Sequence, residues 1–286
     1  MNRAFRLTCI ALALAAISLA AGPADAHQFW LAPSQYIAPP GRALEIRALA
    51  GTGFRGERKP WSPAHCIRFV ARTARTLDLT RAASPGDFTW TRFAASDPGG
   101  AMLAFESGFT PIELPGPQFN AYLEEEGLAG PLAVRRRDGA EKPGRERYRR
   151  CAKSWLAGQD AGRATAALGL PLEIVPLAVP GAETVLRARV LWNGRPLTGA
   201  LVKAWRAPLG AGGALTDGST RDSLGIAWQG RTDGRGEVTV PVAAAGEWLL
   251  SAVQMVPSAA PTEADWESTW ASLTFERTAP SERASR

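Results

Sequence analysis

The sequence predicts a mainly β protein of two β-sandwich-like domains, the first interrupted by a helical insertion. Three observations point there. Short segments that alternate apolar and polar residues recur along most of the chain, as half-buried strands do. Turn residues punctuate the last third at roughly the 8–12-residue spacing of a sandwich. Between residues 118 and 157 the apolar period changes to a helical one.

The first element is not part of the fold. Arg3 and Arg6 precede the apolar run Cys9–Ala21, and Ala24-Asp25-Ala26 is an A-x-A cleavage site. Residues 1–26 therefore read as a secretory signal peptide, with the mature protein beginning at His27. The run is too short for a membrane span, and no later segment is long and apolar enough to be one. The expected location is the periplasm or the medium.

The N-terminal domain is expected over residues 27–168. His27-Gln28-Phe29-Trp30-Leu31 leads to a Pro-rich turn at Pro39-Pro40-Gly41, and 43–49 alternates as a strand. Residues 51–61 hold three Gly and a Pro and read as a loop. Residues 66–72 and 101–107 read as strands. Residues 118–127 place Phe119, Tyr122 and Leu123 on one helical face before a Gly stop. Residues 144–157 place Tyr148, Cys151, Ala152, Trp155 and Leu156 on one stripe, which predicts an amphipathic helix. Residues 158–169 are a small-residue linker.

The C-terminal domain is expected over 169–277. Strands are expected at 184–192, 200–205, 237–242, 247–256 and 268–275. Asn193-Gly194 signals a hairpin because both residues accept positive φ. Residues 206–224 are Gly-rich and loop-like, and the polar tail 278–286 is expected to be disordered.

Composition bounds function. Of 286 residues 45% are hydrophobic and 21% charged, and ten Trp and ten Phe supply material for real cores. The net charge of +6 is mild, and apart from Arg135-Arg136-Arg137 and 145–153 the basic residues are interspersed with acids. That pattern argues against a nucleic-acid surface. Cleavage leaves Cys66 and Cys151, and an even pair in an oxidising compartment is expected to form a disulfide.

Several blocks together resemble one family: 27–31, the segment 119–128 (FNAYLEEEGL), Lys142-Pro143-Gly144-Arg145-Glu146-Arg147-Tyr148, 169–173 (GLPLE), and 265–275 around Trp266 and Trp270. The chain is similar to the exported bacterial proteins called domain of unknown function 4198, in order from His27 to about Phe275. The resemblance implies a periplasmic all-β protein linked to nickel or cobalt uptake. The second region also resembles the transthyretin-like or carboxypeptidase-regulatory type of sandwich, through Asn193-Gly194-Arg195-Pro196-Leu197 and Thr232-Asp233-Gly234. One departure stands out: relatives often carry a histidine where this chain has Gln254.

His27 is the sharpest candidate for chemistry. A histidine at a free N-terminus offers its α-amine and a ring nitrogen to one metal, and such nitrogen donors suit copper, nickel and zinc. The chain has two histidines, so a second imidazole ligand must be His65. Failing that, Asp, Glu, Met255 or carbonyl groups must complete an open site. Glu124-Glu125-Glu126 reads as a solvated helix face, and the Trp266/Trp270 pair as core. No nucleophile elbow, zinc-protease helix or phosphate loop is present. The expectation is binding rather than catalysis: an accessory protein handling nickel, cobalt or copper, working with a metal-transport or other envelope protein. Two alternatives stay open, an envelope interaction module without metal and a copper-dependent oxidative enzyme pairing His27 with His65.

Overall fold

Alternating segments govern the chain from Gln28 onward, and the computed structural model describes residues 28–278. Residues 1–27, which hold the expected signal segment and His27, and residues 279–286 lie outside the described residues. The strands run β1 (Gln28–Pro33), β2 (Leu44–Thr52), β3 (Arg55–Arg58), β4 (Cys66–Arg72), β5 (Thr76–Asp78), β6 (Thr91–Phe93), β7 (Ala101–Ser107) and β8 (Thr110–Leu114). Helices α1 (Gly116–Glu125) and α2 (Ala129–Asp138) follow, then β9 (Gly144–Leu156), the short α3 (Ala161–Ala164) and β10 (Leu172–Pro176). The remainder is β11 (Val185–Trp192), β12 (Arg195–Pro196), β13 (Leu201–Ala207), β14 (Trp228–Arg231), β15 (Glu237–Pro241), β16 (Gly246–Pro257) and β17 (Trp266–Arg277). The protein is mainly β, and its sheets stack in sandwich fashion.

The central sheet has the order β14-β13-β16-β17-β9-β7-β4-β5, with β8 also paired to β9. Every pairing in it is antiparallel except β17 with β9, which run parallel from Trp266↔Glu146 to Thr274↔Ser154. This sheet draws strands from both sides of residue 168.

Both faces of the central sheet are covered. On one face β1, β2 and β6 pack Phe29, Leu31, Ile46 and Phe93 against Phe69, Phe105, Ala152 and Leu156. The same face carries α1 and α2 further along, over Val253, Met255, Trp266 and Trp270. On the other face β10, β11 and β15 pack Leu172, Ile174, Val190 and Val240 against Trp155, Leu250, Leu273 and Phe275. A strand buried on both sides loses its alternation, which is why Cys151 to Leu156 are all buried.

Three expectations are corrected here. The helix expected at 144–157 is the strand β9, at the centre of the largest sheet. Its apolar stripe is the sum of two buried faces, and its arginines alternate toward partners on β17: Arg147 pairs with Glu267 at 2.5 Å, and Arg149 Nε donates to Thr269 Oγ1 at 2.9 Å. Residues 51–61 contain strand β3 rather than loop throughout. Gly53 and Phe54 both take positive φ (61° and 59°), the two-residue turn that matches strand twist.

The expected disulfide is also corrected: Cys66 and Cys151 are both free thiols. They sit on β4 and β9, either side of β7, opposite Ser107 and Glu106 respectively. Two strand spacings of about 4.8 Å each exceed the roughly 7 Å limit for bridged Cα atoms. Cys66 packs with the Phe69–Phe105 core, Cys151 with Ala104 and Leu170 on the opposite face. Burial raises both thiols, Cys66 to about 11 and Cys151 to about 12.

Candidate functional site

A cleft of about 1450 Å³ opens beside the first sandwich. Its position follows from the strand ends. Residues 50–52 of β2 and the β3 strand with Lys59 form one wall. Strands β7, β8 and β9 form the floor with Phe105, Ser107, Ile112, Tyr148 and Arg150. His65 and Phe88 stand at the side. Close backbone approach shapes the wall: a Cβ on Gly56 would lie 2.7 Å from the Trp30 ring, so only glycine fits there.

The floor is aromatic. Phe29, Trp90 and Phe105 interlock, with ring centroids 5.4 Å apart for Phe29–Phe105 and 4.9 Å for Trp90–Phe105. Trp61 braces Trp90 edge-on at 4.9 Å, and Trp90 Nε1 donates to the Lys59 carbonyl at 2.8 Å. Such edge-to-face clusters hold a wall rigid.

Charge on the lining is positive in excess. Arg58 is paired with Asp217 and Lys59 with Glu57, whereas Arg55 and Arg150 have no acidic partner among the described residues. The Arg150 guanidinium lies over the rings of Phe29 and Tyr148, 5.2 Å and 5.0 Å from their centroids. Its Nη1 is sealed from solvent without a hydrogen-bond partner. Desolvation holds the Arg150 pKa below the usual guanidinium value, opposed only by Tyr148.

The expected metal residues fare differently. His65 ends the short 3-10 turn Pro63–His65, is exposed, and lines the cleft. Gly108 N donates to the His65 carbonyl at 2.9 Å, fixing the backbone but leaving the ring to the cleft. His27 lies outside the described residues. Gln28, which follows it, pairs with Gly51 of the cleft wall. Gln254 sits on β16 opposite Thr269, away from the cleft. Among the described residues no three His, Cys, Asp or Glu gather as metal ligands.

Glu126 departs from the solvated-face expectation. It is buried and its Oε1 accepts from Lys203 Nζ at 2.8 Å, while Glu124 meets Arg136 at 2.5 Å on the surface. Trp266 and Trp270 are core, as expected.

Sequence reasoning missed Arg150 and Tyr148 as cleft residues, because it wound them into a helix. The signal was there in period two: Glu146, Tyr148, Arg150 and Ala152 alternate with Arg145, Arg147, Arg149 and Cys151.

Comparison with known proteins adds a family. The model described as "Domain of unknown function (DUF4198)" matches residues 24–256. No curated protein matches. Among solved structures, the D0-D1 domain of intimin aligns over 88% of this chain and 98% of its own, at 10% identity and a TM-score of 0.19.

Proposed function

This chain belongs to the family described as a domain of unknown function (DUF4198), and we propose that it is an exported binding protein whose cleft receives a transition metal. The anchor in this reading is His27, freed as the mature N-terminus by cleavage after Ala26. Nickel, cobalt and copper are the cargo its nitrogen donors suit. The partner is a metal-transport or other envelope protein, and the compartment is the periplasm.

One observation carries the reading. The strand that directly follows His27 pairs with Gly51, and Gly51 lines the same cleft as His65. His65 and the strand that follows His27 thus border one cavity, which supports a shared site. With few further donors around it, such a site is open and suits release as well as capture.

The test is calorimetric titration of Cu(II), Ni(II) and Co(II) into protein beginning at His27. Binding at micromolar concentration or tighter is expected. One residue added ahead of His27 abolishes it, and His65→Ala weakens it by about tenfold, the loss of one ligand. Absence of binding to the correctly processed chain overturns the proposal. The mass of exported protein checks the cleavage itself.

A further inference from the structure

We infer that the same cleft holds a small organic carboxylate, its charged end on Arg150 and its apolar body against Phe29, Phe105 and Trp90. This does not rest on the metal reading.

The starting point is an arginine in an unusual setting. Arg150 is central on β9, and its face of the sheet offers no carboxylate on either flanking strand. On β17 the nearby residues of that face are Ser268, Trp270 and Ser272, and on β7 they are Phe105 and Ser107. Glu146, two positions further along the same face of β9 from Tyr148, is taken up by Ser268 and by Tyr122, whose hydroxyl donates at 3.4 Å. Three buried cations of this protein each have a carboxylate: Lys153 meets Glu173 at 2.7 Å, Lys203 meets Glu126 at 2.8 Å, and Arg221 meets Glu247 at 2.8 Å. Arg221 also keeps buried donors unmet, but it has its carboxylate; Arg150 has an unmet buried donor and no carboxylate partner among the described residues.

Leaving a buried charged donor unsatisfied is costly, and at Arg150, which lines the cleft, a ligand carboxylate would supply the missing partner. The rings of Phe29 and Tyr148 hold the guanidinium by its faces. Stacking fixes the plane of the guanidinium and with it the direction of its N–H fork. That fork matches a carboxylate in bidentate geometry.

The rest of the cavity selects what the carboxylate is attached to. Beyond Arg150 the floor is aromatic, and Phe88 is half exposed at the rim. A bare inorganic anion would leave that apolar surface wet. An organic acid with a ring or a branched chain covers it. Arg55, at the wall and without an acidic partner among the described residues, adds to the positive field that draws an anion in.

The test uses the full chain as cells produce it, in the presence of a metal chelator, with tryptophan fluorescence and calorimetry as readouts. Benzoate is the probe, compared with neutral benzamide and with inorganic phosphate. Saturable benzoate binding is expected, at least tenfold tighter than either. Arg150→Gln loses at least tenfold in benzoate affinity while its thermal midpoint shows it folded, and Arg150→Lys, which keeps charge but not the fork, falls between. Benzoate binding that is absent, or unchanged by Arg150→Gln, overturns the inference. Phosphate binding as tightly as benzoate overturns the organic part. If Arg150→Gln fails to fold, the benzoate–benzamide contrast on the unaltered protein decides the point. The chelator separates the outcomes, because failure of metal binding leaves benzoate binding untouched.

Discussion

At the foot of the helical insertion, Glu146 is shut away from water beside Trp266 of β17, held by the hydroxyls of Ser268 and Tyr122 on one carboxyl oxygen only. Burial raises its pKa from 4.5 to about 7, and those hydrogen bonds only partly oppose the rise. The folded protein therefore holds a proton that the unfolded chain releases near pH 4.5. The associated stability is fully present below that pH and is lost as pH rises toward 7. A shift of this size corresponds to about 3 kcal/mol. Glu146→Gln, which stays neutral, is expected to match wild type at pH 4 and to exceed it by about 2–3 kcal/mol at pH 8, measured by urea unfolding. The thiols give a second prediction at this scale. With Cys66 and Cys151 unbridged and both raised by burial, a thiol reagent at neutral pH reacts slowly with native protein. Denaturation exposes both, and reduction leaves the mass unchanged.

Strand β9 is the element on which most depends. It pairs with β17, β7 and β8, turns Arg150 to the cleft, and turns Lys153 to the opposite face. Lys153 is nearly inaccessible, meets Glu173, and donates to the Ala166 carbonyl at 3.2 Å; Glu173 in turn accepts from the backbone of Leu168, Gly169 and Leu170. Lys153→Met removes the cation and leaves the carboxylate buried. A loss of about 3–5 kcal/mol is expected, read as a lowered denaturation midpoint. The same strand marks the limit of what the sequence discloses. Where one face meets water the alternation is plain, as in β2 and β4, and where a turn demands positive φ the residues announce it, as at Asn193 (φ 48°) and Gly194 (φ 76°). In β9 both faces are covered for half its length and arginines line the rest. Residues at i, i+3, i+4, i+7 and i+8 then look like a helical stripe by coincidence. The Arg135-Arg136-Arg137 run reads as a solvated basic helix face, and it lies in the last turn of α2; the helix's bounds are not legible because it buries little beyond Leu132 and Arg135. His65 could be named from the sequence by counting histidines. Its company in the cleft could not, because the wall, floor and side come from segments far apart in the chain.

Across the whole molecule the nine strands of the central sheet form one hydrogen-bonded surface on both sides of residue 168. Tyr36 and Arg221, from opposite halves, both bond Glu247, at 2.8 Å each. Thr274 Oγ1 donates to the Leu31 carbonyl at 2.9 Å. Heat unfolding is therefore expected as a single calorimetric transition with the two halves melting together. A chain ending at residue 168 is expected to lack native circular dichroism, since β9 would lose β17 along nine paired residues from Glu146 to Ser154.

The parallel junction of β9 with β17 also sets an order in time. Synthesis delivers residues 144–156 more than a hundred residues before residues 266–277 exist to lie beside them. Until then β9 has an open flank, and the bed on which Arg150 and Lys153 are fixed is half built. Closing so long a loop is slow compared with forming hairpins such as β11–β12 or β2–β3. A nascent chain of this protein is consequently expected to stay pliable until nearly all of it has been made.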